Sequence, residues 1–239
     1  MKEYNGKAII ATFFYKHQAC SEYTSSMVST AIILNKLNIK FDYCPVNGNF
    51  HMEVVVNCLL TSFLNDDNEA TDLICIDSDE SWKPEHVVRL LLHDEEIVSG
   101  AYLKCNDKKE YTVDVKTAED GSYLGKVLPD GNCLLEANRV PGGFLKIRKT
   151  ALQKWVDTFP DNWFWMDGKK VHNFFYNEIK DNRFTGMDYC FSDSMKKAGV
   201  QLWVDPILDI SHWDVKPYQG TMDKMLRELK ERQNEQNKP

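Results

Sequence analysis

Asp72-Leu-Ile-Cys-Ile-Asp-Ser-Asp-Glu-Ser-Trp82 carries the deciding pattern: an apolar run, Leu73 to Ile76, that stops at two carboxylates one residue apart, Asp77 and Asp79. The run has the length and β-rich character of a strand buried in a parallel sheet. Alternate residues of an extended chain point the same way, so Asp77 and Asp79 can converge on one point beyond the strand's carboxyl end. Open α/β sheets place their ligand crevice there. A pair of hard oxygen donors in that position suits Mg²⁺ or Mn²⁺, and the cation in turn can hold a diphosphate. Asp and Ser are also ordinary turn residues, so a solvated acidic turn is the competing reading of this stretch alone.

Upstream, the pattern repeats in simpler form. Lys7 to Phe14 reads as a first strand, and Tyr15-Lys-His-Gln18 as the loop at its carboxyl end. Ser21 is placed to cap a helix running to about Leu37, with Met27, Ala31 and Leu34 on one face and Asn38 closing it. Ile39 to Val46 is a second strand, followed by a turn at Asn47-Gly48-Asn49. Phe50 to Leu64 reads as a helix, although its Val54-Val55-Val56 run is β-branched. Asn65 to Asn68 ends it, and the acidic strand follows. This βαβαβ alternation is the signature of a doubly wound nucleotide-binding half-domain. It contains neither GxGxxG nor GxxxxGK[ST]. Phosphates must be held in another way, which a metal on Asp77 and Asp79 would provide.

Downstream, Pro84 suits the first turn of a helix through His93 with Val87, Val88, Leu91 and Leu92 on one side. Glu96 to Leu103 is a strand, and Lys108 to Val115 alternates like a solvent-facing one. Cys133 to Val140 and Gly143 to Arg148 are strands parted by Pro141-Gly142. Lys149 to Thr158 is a helix with Leu152, Trp155 and Val156 inward. The aromatics that follow (Phe159, Trp163, Phe164, Trp165, Phe174, Phe175, Tyr176) suit either core packing or a platform for sugar faces. Gly186-Met-Asp188 opens a helix to Ala198, with Gly199 as C-cap glycine. Val200 to Val204 and Ile207 to Trp213 are the last strands. From Thr221 onward Met222, Met225, Leu226 and Leu229 recur at helical spacing. That tail can pack on the domain or on a partner, including a second copy in a homo-oligomer.

Composition bounds the rest. With 239 residues, 43% hydrophobic and 27% charged, the chain can bury a sizeable core. A net charge of −7 argues against nonspecific binding to nucleic acid or an anionic membrane. It leaves room for a phosphorylated ligand whose charge a divalent cation offsets. Seven cysteines without CxxC or repeated spacing read as reduced thiols of a cytoplasmic protein and do not suggest zinc. No run is long enough for a signal peptide or a transmembrane segment.

Four separated blocks resemble the nucleotide-sugar-dependent glycosyltransferases of the GT-A fold, especially small viral and bacterial versions. IDSDESW, from Ile76, is similar to the family's DxD element. VSGAYLK, from Val98, is similar to the "vaGvYp-K" strand that follows it. VPGGFLKIRKTAL, from Val140, is similar to "GtGFllirrsvf". GMDYCFSDSMKKAGVQLWVDPILDISHW, from Gly186, is similar to the family's "GEDydFcrrarkaGyklwvdp…vgH" ending. One DxD is a weak signal; four blocks in order are a strong one. The likeness runs from about Lys7 to Trp213, so residues 1–220 are expected to form a single domain and 221–239 a C-terminal helical tail.

The resemblance implies an α/β fold with a mostly parallel central sheet flanked by helices and a smaller acceptor-side sheet. It implies a Mn²⁺ (or Mg²⁺) site of Asp77, Asp79 and His212, with Asp79 as the direct ligand and Asp77 nearer the ribose or a metal-bound water. Thr12, Asn57, Asp77 and Ser78 fall at donor-binding positions. Val56 stands where the family often has Arg before the Asn, which removes one donor contact. Asp188 falls where inverting members keep the general base, and Met187 replaces the usual Glu before it. The implied reaction is transfer of a hexose-like sugar from a nucleoside diphosphate sugar to a glycan or other hydroxyl acceptor, inverting or retaining. Two rivals stand beside it: a nucleotidyltransferase, which needs a Gly-rich basic loop after the first strand that Thr12 to Ser21 does not supply, and a non-catalytic sugar-binding protein of the same fold.

Overall fold

The computed structural model describes residues 3–236 except 16, 49–50, 68, 107, 109, 215–216 and 219. Lys16, Asn49, Phe50, Asn68, Lys109 and the last three residues of the expected tail therefore lie outside the described residues. The first half follows the expected alternation: β1 (Lys7–Tyr15), α1 (Ser21–Lys36), β2 (Lys40–Gly48), α2 (Met52–Asn65) and β3 (Ala70–Asp77). β1 pairs in parallel with both β2 and β3. Apolar runs form these strands because both faces are covered, and alternate side chains enter opposite cores. Ile9, Ala11, Phe13, Leu73 and Cys75 pack with Val56, Leu60 and Phe63 of α2. Ala8, Ile10, Ile74 and Ile76 pack with Tyr23 and Leu34 of α1 on the other side. Each fully buried side chain of this size contributes about 1.5–3 kcal/mol, which outweighs the weak helix preference of Val54 to Val56.

The chain continues through β4 (Glu80–Ser81), α3 (Pro84–Leu92), β5 (Ile97–Gly100), β6 (Asp114–Val115), β7 (Gly125–Val127), β8 (Cys133–Arg139), β9 (Phe144–Arg148) and α4 (Lys149–Thr158). Then come β10 (Trp163–Met166), β11 (Lys169–His172), β12 (Glu178–Lys180), β13 (Arg183–Thr185), α5 (Met187–Lys197), β14 (Leu202–Asp205), β15 (Ser211–Trp213), β16 (Pro217–Tyr218) and α6 (Met222–Gln236). The central sheet has the order β2-β1-β3-β9-β5-β14-β8-β6, with β7 also on β8. Its strands run one way except β9, antiparallel to β3 and β5, and β8, antiparallel to β14, β6 and β7. β10-β11 and β12-β13 are hairpins, and β16-β15-β4 is a small separate sheet. The α/β architecture expected from the sequence is thus the one observed: a mostly parallel central sheet, helices on both faces, smaller sheets beside it.

Three local expectations change. The N-cap of α1 is Cys20, whose Sγ accepts from the Tyr23 N–H at 3.3 Å, not Ser21. Its inward face is Tyr23, Ser26, Thr30 and Leu34 in place of Met27, Ala31 and Leu34. Trp82 makes that possible: its backbone N–H donates to Ser26 Oγ (3.1 Å) and its indole N–H to Thr30 Oγ1 (2.9 Å). Polar residues so partnered can be buried, a fact hydrophobic periodicity does not register. The expected strand from Ile207 is confined to Ser211–Trp213, and it leaves the main sheet to pair antiparallel with β4. Of the aromatic run, Phe174 and Phe175 are core and Trp165 is exposed. Gly199 takes φ +76° directly after α5, as a C-cap glycine should. Met222 at the start of α6 is buried among Ala101, Leu135 and Val204. No helix among the described residues is long and apolar enough to cross a membrane.

Candidate active site

Asp77 ends β3, and its turn is held by backbone bonds from three other segments. The Asp77 N–H donates to Gly143 C=O (2.9 Å), Cys20 N–H to Ser78 C=O (3.1 Å), and Trp213 N–H to Asp79 C=O (2.8 Å). A merely solvated turn needs no such bracing. Ser78 is buried, Asp77 partly so, and the Asp79 carboxylate is half exposed. The bracing strand β15 sets His212 opposite Glu80.

His212 is the cross-chain partner of Asp79. Its Nε2 lies 3.5 Å from Asp79 Oδ2, while its Nδ1 lies 3.0 Å from Leu103 C=O and 3.3 Å from Cys105 Sγ. The Leu103 carbonyl can only accept, so Nδ1 carries a proton toward it and Nε2 is the nitrogen turned to Asp79, as in histidines whose other nitrogen binds a metal. Tyr102 packs edge-on against the imidazole at 5.2 Å. Burial alone would lower the His212 pKa, but the Asp79 carboxylate outweighs it and raises it.

The acids around this point crowd one another. Asp77 is pushed up to about 7, first by burial and then by Asp79 and Asp188, with His212 opposing. Glu80 is wholly buried, and burial followed by Asp77 and Asp79 raises it well above the usual carboxylate range, while the Tyr102 hydroxyl beside it works the other way. Mutual repulsion among these acids is what raises them beyond burial alone. Asp79 Oδ2 and His212 Nε2 face each other at 3.5 Å. Among the described residues no group of three or more His, Cys, Asp or Glu side chains is placed to hold a metal ion, so the structure pairs Asp79 with His212 but does not gather Asp77 with them as a three-ligand set.

Asp188 stands in the first turn of α5 across the Pro141–Gly143 loop. Its carboxyl accepts from the Gly142 N–H, and burial raises its pKa. A cavity of about 60 Å³ joins it to Asp77, past Phe13, Cys75, Gly142 and Phe175. On the other side it borders a cleft of about 380 Å³ lined by Asn177, Gly186 and Tyr189. Asp188 thus sits between the acidic pair and an outer cleft.

Two further residues singled out by the sequence are engaged elsewhere. Thr12 is wholly buried, with its hydroxyl 2.5 Å from the Tyr23 hydroxyl. Asn57 clamps the Phe175 backbone, accepting its N–H at 2.8 Å and donating to its C=O at 2.7 Å. Neither is brought to the Asp77–Asp79 turn by these bonds. Glu80, Tyr102 and Gly143 were not expected from the sequence. Only the acid directly after the DxD could have hinted at one of them.

No family model matches the chain, and no curated protein matches it in sequence. Among solved structures it is similar to A197 from STIV, with a TM-score of 0.50 at 16% identity over 90% of this chain and 94% of that one. The catalytic domain of Drosophila β1,4-galactosyltransferase 7, in complex with xylobiose, gives 0.49 at 12% identity over 84% of this chain and 65% of that one. GalNAc-T7 with UDP, GalNAc and Mn²⁺ gives 0.49 at 10% identity over 87% of this chain and 43% of that one. At these identities the likeness is one of fold.

Proposed function

We propose that the protein is a glycosyltransferase that moves a sugar from a nucleoside diphosphate sugar to an acceptor hydroxyl, with Asp77, Asp79 and His212 holding Mn²⁺ or Mg²⁺. The observation that carries this reading is the pairing of Asp79 with a tautomer-fixed His212 at the carboxyl end of the central strand. The four sequence blocks that resemble GT-A glycosyltransferases contain every residue of that constellation. Breaking the glycosidic bond leaves negative charge on the departing diphosphate, and a bound divalent cation would stabilise it as Lewis acid and template. The chain's own part is to place the ligands. The backbone bonds to Asp77, Ser78 and Asp79 hold the turn, and the Leu103 carbonyl orients His212. Asp188, in an inverting reaction, accepts the proton of an acceptor hydroxyl that enters from the outer cleft. Its raised pKa brings it nearer the working pH of a general base.

Turnover and binding of UDP-, GDP- and dTDP-sugars with Mn²⁺ test this reading. At least one donor should be hydrolysed or transferred, and Asp79→Ala should lower that rate at least about 100-fold. Asp188→Asn should keep donor binding and lose transfer. A protein that binds no donor in the presence of Mn²⁺ is not this enzyme, and undiminished transfer by Asp188→Asn removes Asp188 as base.

A further inference from the structure

We infer that Glu80 is a positioning residue of the proposed metal site: with the Tyr102 hydroxyl it fixes the Asp77 carboxyl and thereby sets how that carboxyl meets a cation. The inference rests on the metal reading above. Glu80 is 0% exposed, and neither of its carboxyl oxygens makes a hydrogen bond of ordinary geometry among the described residues, the Tyr102 hydroxyl being the one group near enough to offset the cost of its burial. A buried polar group in that condition calls for an explanation, because buried acids kept for stability are partnered.

Gly143 supplies the explanation. A Cβ built there would lie 2.5 Å from Tyr102 Oη, 2.6 Å from Asp77 Oδ2 and 2.6 Å from Glu80 Oε1. Three oxygens from three segments therefore face one notch, and no two of them can be more than about 5 Å apart. Gly143 does not occupy the left-handed region, so its value here is space and not backbone freedom. Any side chain at 143 would push these oxygens apart. The same residue's carbonyl holds the Asp77 N–H, so backbone and carboxyl of Asp77 are both referred to it. The notch therefore holds Asp77 Oδ2. Glu80 reaches the second ligand too, since it is the strand partner of His212. An acid so placed, facing the same notch as one proposed ligand and paired by backbone with another, acts on the metal through them.

The test compares Glu80→Ala, Glu80→Gln and Tyr102→Phe with the wild type for Mn²⁺ affinity, read from the electron paramagnetic resonance of free Mn²⁺, and for metal-free melting temperature. Glu80→Ala should weaken Mn²⁺ binding about 10- to 100-fold while the metal-free protein melts no lower than the wild type. Glu80→Gln, which keeps the shape and can both donate and accept, should recover most of that loss. Wild-type affinity in Glu80→Ala, or a drop in melting temperature with no change in Mn²⁺ affinity, would show Glu80 to be structural and overturn the inference. Equal loss in Glu80→Gln and Glu80→Ala would make its charge the active feature and overturn it as well. If Glu80→Ala does not fold, Tyr102→Phe decides: weaker Mn²⁺ binding supports the notch, and unchanged binding sinks it. A wild type that binds no Mn²⁺ overturns the metal reading and this inference together, whereas wild-type binding with unaltered variants overturns this inference alone.

Discussion

β3 carries two aspartates five residues apart, and they live in opposite conditions. Asp72, near its amino end, accepts from the Tyr4 hydroxyl (2.9 Å) and the Thr71 hydroxyl (2.7 Å), with Arg148 at 3.3 Å and Lys146 at 4.0 Å. Asp77, at the carboxyl end, faces Asp79, Asp188 and Glu80, with His212 as the cationic group that opposes its shift. One end of the strand is neutralised by the chain itself; the other is left short of positive charge. Folding stability is served by the first arrangement and hindered by the second. An acid cluster kept at that disadvantage at the ligand end of an α/β sheet points to an incoming cation.

The comparison breaks most visibly if the two aspartates are neutralised in turn. Asp72→Asn leaves Lys146, which is 0% exposed, and Arg148 without their carboxylate. Removing one partner of a buried ion pair costs about 3 kcal/mol or more, which for a chain of this size lowers Tm by about 6–12 °C. Mn²⁺ affinity should stay as in the wild type. Asp77→Asn should do the reverse, holding or raising the metal-free Tm while Mn²⁺ binding weakens. Calorimetry of both variants with and without Mn²⁺ checks this. If both lose stability alike, Asp77 is as structural as Asp72, and the contrast between the two ends fails.

The same contrast explains what could be read from the sequence. The runs in β1 and β3 and the pair Asp77/Asp79 are local signals, and they place the acidic turn where the structure has it, at the carboxyl end of β3 inside the central sheet. His212 and Asp188 carry no local signal of their own and entered through the resemblance to GT-A glycosyltransferases. Their meeting with the acidic turn depends on pairings between segments far apart in the chain. β15 leaves the main sheet for β4, and β9 inserts antiparallel between β3 and β5, which brings Gly143 against Asp77. Glu80 follows the DxD directly, but only the β4–β15 register shows that it points into a closed notch and not into solvent. The inward places of Ser26 and Thr30 on α1 are hidden from the sequence for a related reason: the indole that satisfies Thr30 comes from Trp82, over fifty residues away.

The smallest expected effect is on the pH dependence of metal stabilisation. Burial and the neighbouring acids push the folded pKa of Asp77 up to about 7, well above the usual carboxylate range. Below the ordinary carboxylate range both folded and unfolded chains are protonated there, and the group contributes nothing. As pH rises from about 4 to 7, the unfolded chain gives up this proton while the folded chain retains it, so the metal-free protein loses stability across that window. His212, with its folded pKa raised, adds stability at low pH that is lost as pH rises through its folded value, which is the same direction. A divalent cation reverses both, because it favours ionised Asp77 and neutral His212. The rise in Tm caused by Mn²⁺ should therefore be larger at pH 7.5 than at pH 5.5. In Asp72→Asn, where these two groups are untouched, the difference should persist. An equal Mn²⁺ shift at both pH values would mean that Asp77 and His212 do not exchange protons for the metal, and the contrast between the two ends of β3 would then rest on Asp79 alone.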